Sequence, residues 1–235
     1  HHRLLLEATH SALGRGCGPD GNNIKPARSN VGVYVGFTTA ADWQSVMLQY
    51  PAADQDLGPL VLMGGGTSEA AGRRSYAMGL TGPSLVISTT CSSAMVAVDA
   101  ATQCVRLGRA PVGVAAGVNL WLHENGWIGY CSLKFVSHDG HSRSFDAAAD
   151  GYGRSEACCA VMLEQVEQTG NQHAHSWIRG IAVNQDGRSA SFAAPNGQAQ
   201  RELLRSAQQD ASLTPADICH MECAANGSPM LDAVE

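Results

Sequence analysis

Gly82-Pro83-Ser84-Leu85-Val86-Ile87-Ser88-Thr89-Thr90-Cys91-Ser92-Ser93-Ala94-Met95-Val96-Ala97-Val98-Asp99-Ala100-Ala101 passes from one kind of local structure into another, with a cysteine at the joint. Residues 85–88 are an apolar, β-branched run too short for a helix, which reads as a buried strand. From 94 to 107 the composition shifts to helix formers. Apolar residues there surround the axis (Ala94, Met95, Ala97, Val98, Ala101, Cys104 and Val105), predicting a helix buried on most sides. With Ser92 or Ser93 as its cap, Cys91 lies where unpaired backbone N–H groups and the positive end of the helix dipole favour a thiolate. The same amides can receive the negative oxygen that forms when a thiolate attacks a carbonyl carbon. The plainer alternative for Cys91 is a small buried hydrophobe, the usual state of a free cysteine.

The 235 residues are 44% apolar and 15% charged, an ordinary globular composition with room for one large core or two small ones. The formal charge is −6, there is no Lys/Arg run, and the only lysines are Lys25 and Lys134. That balance argues against nucleic acid or an anionic membrane surface as a partner. No apolar stretch approaches the roughly 20 residues of a membrane-spanning helix. The eight cysteines lie in apolar or helical contexts and no signal peptide opens the chain, so they read as reduced thiols of a cytoplasmic protein. His1-His2-Arg3-Leu4-Leu5-Leu6-Glu7 is already helical in pattern, and Leu231-Asp232-Ala233-Val234-Glu235 starts another helix, so both ends read as cuts.

The pattern predicts helices over 3–13, 42–50, 67–80 and 198–210, and strands over 31–37, 111–119, 158–163 and 178–183, with a further strand from Ile218. Loops are expected over 14–30 and 51–59, and an exposed connection over 164–175. The order strand, helix, strand around Cys91 implies a right-handed crossover and a parallel pair. Gly64-Gly65-Gly66-Thr67 lacks the Lys-Ser/Thr of a phosphate loop. Cys219, His220 and Cys223 fit no standard zinc spacing, so no metal is expected. A cysteine-hydrolase dyad of Cys91 with one of the histidines finds no support in the spacing. Trp121, Trp127 and Tyr130 either line a pocket or belong to the core.

Thr89-Thr90-Cys91-Ser92-Ser93-Ala94 resembles the Thr-Ala-Cys-Ser-Ser-Ser nucleophile motif of ketosynthase (beta-ketoacyl synthase) domains of type I polyketide synthases and related fatty-acid synthases. Further matches follow in order along the chain. Arg3-Leu4-Leu5-Leu6-Glu7 is similar to that family's Arg-Leu-Leu-Leu-Glu, and Val33-Tyr34-Val35-Gly36 to its Val-Phe-Val-Gly. Ala71-Gly72-Arg73-Arg74-Ser75-Tyr76 resembles Ala-Gly-Arg-Ile-Ser-Tyr, and Ala116-Gly117-Val118-Asn119 resembles the end of Ala-Gly-Gly-Val-Asn. Phe145-Asp146-Ala147-Ala148-Ala149-Asp150-Gly151-Tyr152 and Ala182-Val183-Asn184-Gln185-Asp186-Gly187-Arg188-Ser189 match outright, as does Ala194-Pro195-Asn196-Gly197.

The resemblance implies an α/β thiolase-like fold of two similar halves, layered α-β-α-β-α. Residues 1–235 would form a partial ketosynthase domain, with about 1–170 as the N-terminal half and about 176–235 as the start of the C-terminal half. It implies that Cys91 accepts an acyl chain, with its backbone N–H also serving the oxyanion hole. Decarboxylative Claisen condensation with a malonyl-type extender would follow. No cofactor is expected to bind this domain, since substrates arrive on the phosphopantetheine of an acyl carrier protein. A homodimer through the strand before Cys91 is also implied.

The resemblance also carries departures. Val-Arg-Gly-Glu-Gly-Cys-Gly is here Gly153-Arg154-Ser155-Glu156-Ala157-Cys158-Cys159, which matters where a glycine was needed for positive φ or close approach. Glu-Ala-His-Gly-Thr-Gly-Thr is here Glu222-Cys223-Ala224-Ala225-Asn226-Gly227-Ser228, so Ala224 stands where the family's first histidine belongs. The second histidine and its lysine would fall beyond Glu235. His220 lies four positions away and needs a register shift to substitute. The alternatives to a condensing enzyme are therefore a non-elongating acyl-transfer domain and a catalytically dead scaffold.

Overall fold

A computed structural model describes residues 1–15, 29–38, 63–64, 66–165, 174–191 and 194–235. The helix expected over 42–50 and the loop over 51–59 lie outside the described residues, as do most of the 14–30 loop and of the 164–175 connection. The contacts divide the chain into two compact units, His1–Gly126 with Glu156–His175, and Trp127–Ser155 with Ser176–Glu235.

The first unit is built on β1 (Val31–Gly36), β2 (Ser84–Ile87), β3 (Val112–Asn119) and β4 (Ala157–Glu164), in the spatial order β2-β1-β3-β4. β1 runs parallel to both β2 and β3, and β4 is antiparallel to β3. The strands flanking Cys91 are thus parallel as expected, but β1 intervenes and they do not pair with each other.

β1 is buried along its whole length because the sheet is covered on both faces. Val31, Val33 and Val35 join Val114 and Ala116 in a core with Leu5 and Leu13 of α1 (His2–Arg15) and Ala70 and Ala71 of α2 (Glu69–Met78). On the other face Tyr34 and Ala115 pack with Ala97, Ala101 and Cys104 of α3 (Ser93–Arg106). The two sets alternate along β1, as a period of two requires. α2 ends on Gly79, whose φ of 66° lets its N–H reach the Ser75 and Tyr76 carbonyls.

Two burial expectations are corrected. α3 buries one face rather than most of its circumference: Ala97, Ala101, Cys104 and Val105 face the sheet while Met95 is 64% exposed. Among the described residues β2 is an edge strand, with Leu85 47% exposed, because only β1 pairs with it there.

Two further helices are α4 (Glu124–Ser132) and α5 (Gly197–Ala211), and a short α6 (Pro229–Asp232) lies near the end of the chain. In the second unit, α5 begins on Asn196, whose side chain accepts from the Gln198 and Ala199 N–H groups. The strand expected over 178–183 does not form. Instead the Ile181 N–H donates to Asp210 Oδ2 at 2.9 Å and Asn184 Nδ2 to the Ala199 carbonyl at 2.8 Å. This segment lies so close to α5 that a Cβ on Gly180 would stand 2.4 Å from the Ala207 carbonyl oxygen. No strand forms from Ile218 either, since no ladder partner flanks it among the described residues.

Candidate active site

Cys91 lies in a 3-10 turn, Thr90–Ser92, between edge strand β2 and helix α3. Its thiol is exposed, which sets aside the buried-hydrophobe alternative. Thr90, immediately before it, has φ 54°, a left-handed conformation that is an outlier for a β-branched residue. Neither Ser92 nor Ser93 caps α3 with its side chain as expected. Ser92 Oγ turns back to the Thr89 carbonyl at 2.8 Å, and Ser93 Oγ accepts the Thr89 N–H at 2.8 Å while donating to the Thr90 carbonyl at 2.7 Å. Among the described residues no hydrogen bond takes the Cys91 backbone N–H. An exposed thiol and an unclaimed amide on the same residue are two of the parts that acyl transfer needs.

Two glycines seat this elbow. Gly36 of β1 and Gly117 of β3 are register partners on neighbouring strands. A Cβ on Gly36 would stand 2.5 Å from the Ala94 nitrogen and the Ser93 carbonyl carbon, and one on Gly117 2.7 Å from the Ala94 Cβ. The first turn of α3 therefore rests on bare backbone of two strands, which fixes where β2 can hand over to the helix. The residues were visible in the strand motifs, but their role was not, because Ala94 lies far from both in sequence.

In the second unit, residues 145–152 of the sequence motif and the segment carrying Ala224 come together. The Gly151 N–H donates to the Gly227 carbonyl at 3.0 Å, and a Cβ on Gly227 would meet the Gly151 oxygen at 2.5 Å. The Phe145 N–H donates to Asp232 Oδ2 at 2.9 Å. Ala224 is exposed, and its N–H donates to Glu235 Oε1 at 3.1 Å. Ala225, where the related motif has glycine, has φ 38° and donates to Glu235 Oε2 at 2.8 Å, and its carbonyl accepts from Ser144 Oγ. Ser155 and Ala157, by contrast, replace glycines at positions without positive φ.

Asp139 anchors the loop leading into the motif. Arg143 is hydrogen-bonded to it, Ser137 Oγ donates to it at 2.9 Å and the His141 N–H at 3.2 Å. The Arg143 guanidinium and then the Ser137 hydroxyl hold its carboxyl well below the usual carboxylate range. A cavity of about 630 Å³ beside it is lined by Trp127, Cys131, Lys134, His138 and Arg154, among others. Arg154 stacks on Tyr130 with its guanidinium carbon 4.2 Å from the ring centre, so of the aromatics singled out in sequence Trp127 faces a cavity and Tyr130 takes a cation.

His220 makes a contact of 3.6 Å with Glu222, both highly exposed. Among the described residues no group of three or more His, Cys, Asp or Glu is arranged to hold a metal ion, and no helix is long and apolar enough to cross a membrane.

Two family models match in succession: the beta-ketoacyl synthase N-terminal domain over residues 1–169 and the beta-ketoacyl synthase C-terminal domain over residues 175–235. A component of the phenolphthiocerol/phthiocerol polyketide synthase of Mycobacterium tuberculosis is 36% identical over 99% of this chain, which covers 10% of that protein. An oxazolomycin ketosynthase domain of Streptomyces albus matches with a TM-score of 0.80 and 28% identity, covering 100% of this chain and 39% of that one. The module 6 ketosynthase of the bacillaene synthase of Bacillus subtilis also gives a TM-score of 0.80, over 99% of this chain and 39% of that one. At 24% identity that second likeness bears on the fold alone. The chain spans about a tenth of the length of the curated relative.

Proposed function

This chain belongs to the beta-ketoacyl synthase family, and from that membership we propose that Cys91 is the acyl-accepting nucleophile of a polyketide synthase ketosynthase domain. Its fold is the thiolase-like α/β fold that the sequence motifs imply. The observation that carries the proposal is the exposed Cys91 thiol on a strained turn ahead of α3, with its own amide unclaimed.

In the loading step the Cys91 thiolate attacks the carbonyl of an acyl thioester presented on the phosphopantetheine of an acyl carrier protein. A carbon–sulfur bond to Cys91 forms, the bond to the pantetheine sulfur breaks, and that thiolate leaves and takes up a proton. The oxyanion between these events is where the Cys91 amide contributes, and such a donor is worth several kcal/mol of barrier, roughly a hundredfold or more in rate. Decarboxylation of a malonyl-type extender and condensation of the resulting enolate with the Cys91-bound acyl group complete the reaction. This second stage calls for imidazole donors, and Ala224 offers a methyl group at the position of the first. Loading without efficient elongation is the reading that Ala224 favours for the chain as it stands.

The partners follow from the same reading. The exposed edge of β2, ending just before Cys91, is the surface we assign to a homodimer. Reduced thiols in a cytoplasmic setting accord with the seven unbridged cysteines among the described residues.

Incubation with a short acyl thioester, followed by intact-mass measurement, tests the proposal. The expected result is one acyl adduct on the wild-type chain and none on Cys91→Ala. A folded wild-type chain that stays unmodified while Cys91 reacts with iodoacetamide would refute acyl transfer.

A further inference from the structure

Around Cys91 the hydroxyls form an ordered chain that joins Ser93 to Thr38 and Ser88, outside the motif. Ser93 is only 5% exposed, and its single proton goes to the Thr90 carbonyl at 2.7 Å. Thr38 Oγ1, in the segment after β1, lies 3.2 Å from Ser93 Oγ and 3.2 Å from Ser88 Oγ. With the Ser93 proton committed, Thr38 must donate to Ser93, and Ser88 must then donate to Thr38, since each hydroxyl has one proton to give. Ser93 Oγ thus receives the Thr89 N–H and the Thr38 hydroxyl and passes its own proton to Thr90.

These bonds bracket the strained residue. The Thr90 carbonyl takes both the Ser93 hydroxyl and the Ser93 N–H, while the Thr89 N–H ahead of it is held by the same side chain. A β-branched residue in the left-handed region lies about 1–2 kcal/mol above its ordinary conformation. It stays there only when its surroundings over-determine it. Ser93 supplies that constraint, and Thr38 fixes which way the Ser93 hydroxyl points.

We propose that Ser93 and Thr38 are positioning residues for Cys91: their hydroxyls hold Thr89 and Thr90 in the turn that presents the Cys91 amide to the oxyanion of acyl transfer. The proposal rests on the acyl-transfer reading of Cys91. It separates two reactions of one thiol. Acylation passes through an oxyanion and needs the amide in place. Alkylation by iodoacetamide is a direct displacement with no oxyanion, so it needs only an accessible thiolate.

The experiment measures both rates on the full chain, with a short acyl thioester of N-acetylcysteamine and with iodoacetamide, for wild type, Ser93→Ala, Thr38→Val and Thr38→Ser. Ser93→Ala is expected to slow acylation about 10- to 100-fold, part of the loss seen when an oxyanion donor is removed outright, and to leave alkylation within about twofold. Thr38→Val should move in the same direction by a smaller factor, and Thr38→Ser should restore the wild-type ratio. Thr38 is exposed, so its pair of variants carries the test if Ser93→Ala does not fold. Equal loss of both rates, or loss of neither, overturns the proposal. A wild-type chain that alkylates but never acylates overturns instead the reading on which it rests.

Discussion

A methyl group added at Gly36 should unseat the nucleophile turn, while one added at Gly72 should stabilise the same protein. The Cβ of Gly36→Ala would lie 2.5 Å from the Ala94 nitrogen, and ordinary contact begins near 3.4 Å, so α3 or β1 must give by 3.4 − 2.5 = 0.9 Å. The atoms it meets are backbone and cannot swing aside as a side chain would, and Gly117 closes the next strand with 2.7 Å to the Ala94 Cβ. Overpacking of this kind costs about 1–3 kcal/mol. Each kcal/mol is roughly 2–4 °C of Tm in a chain of this size. Gly72 is a helical position in α2 with nothing within 4 Å of its Cβ site, where alanine gains about 0.5–1 kcal/mol through helix propensity and a less free unfolded chain. Thermal unfolding by circular dichroism should therefore give opposite signs for the two variants. Acylation of Cys91 should fall in Gly36→Ala and hold in Gly72→Ala. A Gly36→Ala protein that melts at or above the wild-type temperature would show that α3 does not rest on that strand as described.

Arg74→Ile should raise stability. Arg74 is fully buried; among the described residues its Nε and Nη1 have no hydrogen-bond partner and its Nη2 reaches only the His2 carbonyl at 3.3 Å, and burial pulls the guanidinium down to about 10. Replacing such a cation with a packed aliphatic side chain is worth about 1–4 kcal/mol, read as a higher urea midpoint; a lower midpoint would contradict it. For Asp139, whose folded carboxyl titrates below its ordinary value of 3.8, the ion pair and hydrogen bonds stabilise the fold above pH 3.8 and are lost as pH falls through the lower folded value. The gap in urea midpoint between wild type and Asp139→Asn should thus be constant near neutrality and close below about pH 4, and a gap independent of pH would count against the assignment.

The strands and helices of the first unit were legible because their signals are local. The valines at alternate positions of β1, the small residues closing β3 and the helix formers after Cys91 each announce their own element. What depends on neighbours was not. Leu85 reads as buried and lies at an edge, since nothing in the run 85–88 says how many strands flank it. Residues 178–183 have the composition of a strand, yet no ladder forms there: the Ile181 N–H goes to the Asp210 side chain of α5, and just beyond the run the Asn184 side chain donates to the Ala199 carbonyl. At the candidate site, Cys91 is marked in the sequence by its joint and its motif. The seat formed by Gly36 and Gly117 and the hydroxyls of Thr38 and Ser93 were not, because each acts between segments far apart in the chain.

The departures from the family pattern sort by backbone, and at Ala224 the main-chain bonds stand independently of the side chain. Ser155 and Ala157 replace glycines where φ is not positive, so their Cβ atoms carry no conformational penalty. Ala225 replaces one at φ 38°, and there the strain is contained by main-chain bonds: the Ala224 and Ala225 N–H groups go to the two oxygens of Glu235, and the Ala225 carbonyl takes the Ser144 hydroxyl. None of these bonds uses the Ala224 side chain, and that side chain is exposed. Ala224→His should therefore fold as the wild type does, within about 0.5 kcal/mol, as an exposed substitution breaking no contact. On the reading proposed above, it should also place an imidazole donor at that position. Decarboxylation of a malonyl thioester, followed as released CO₂, is expected to rise at least about tenfold over wild type, since a single well-aimed donor is worth that much or more. An Ala224→His protein that keeps the wild-type Tm and gains no decarboxylation would mean that position 224 is not where the developing charge is met.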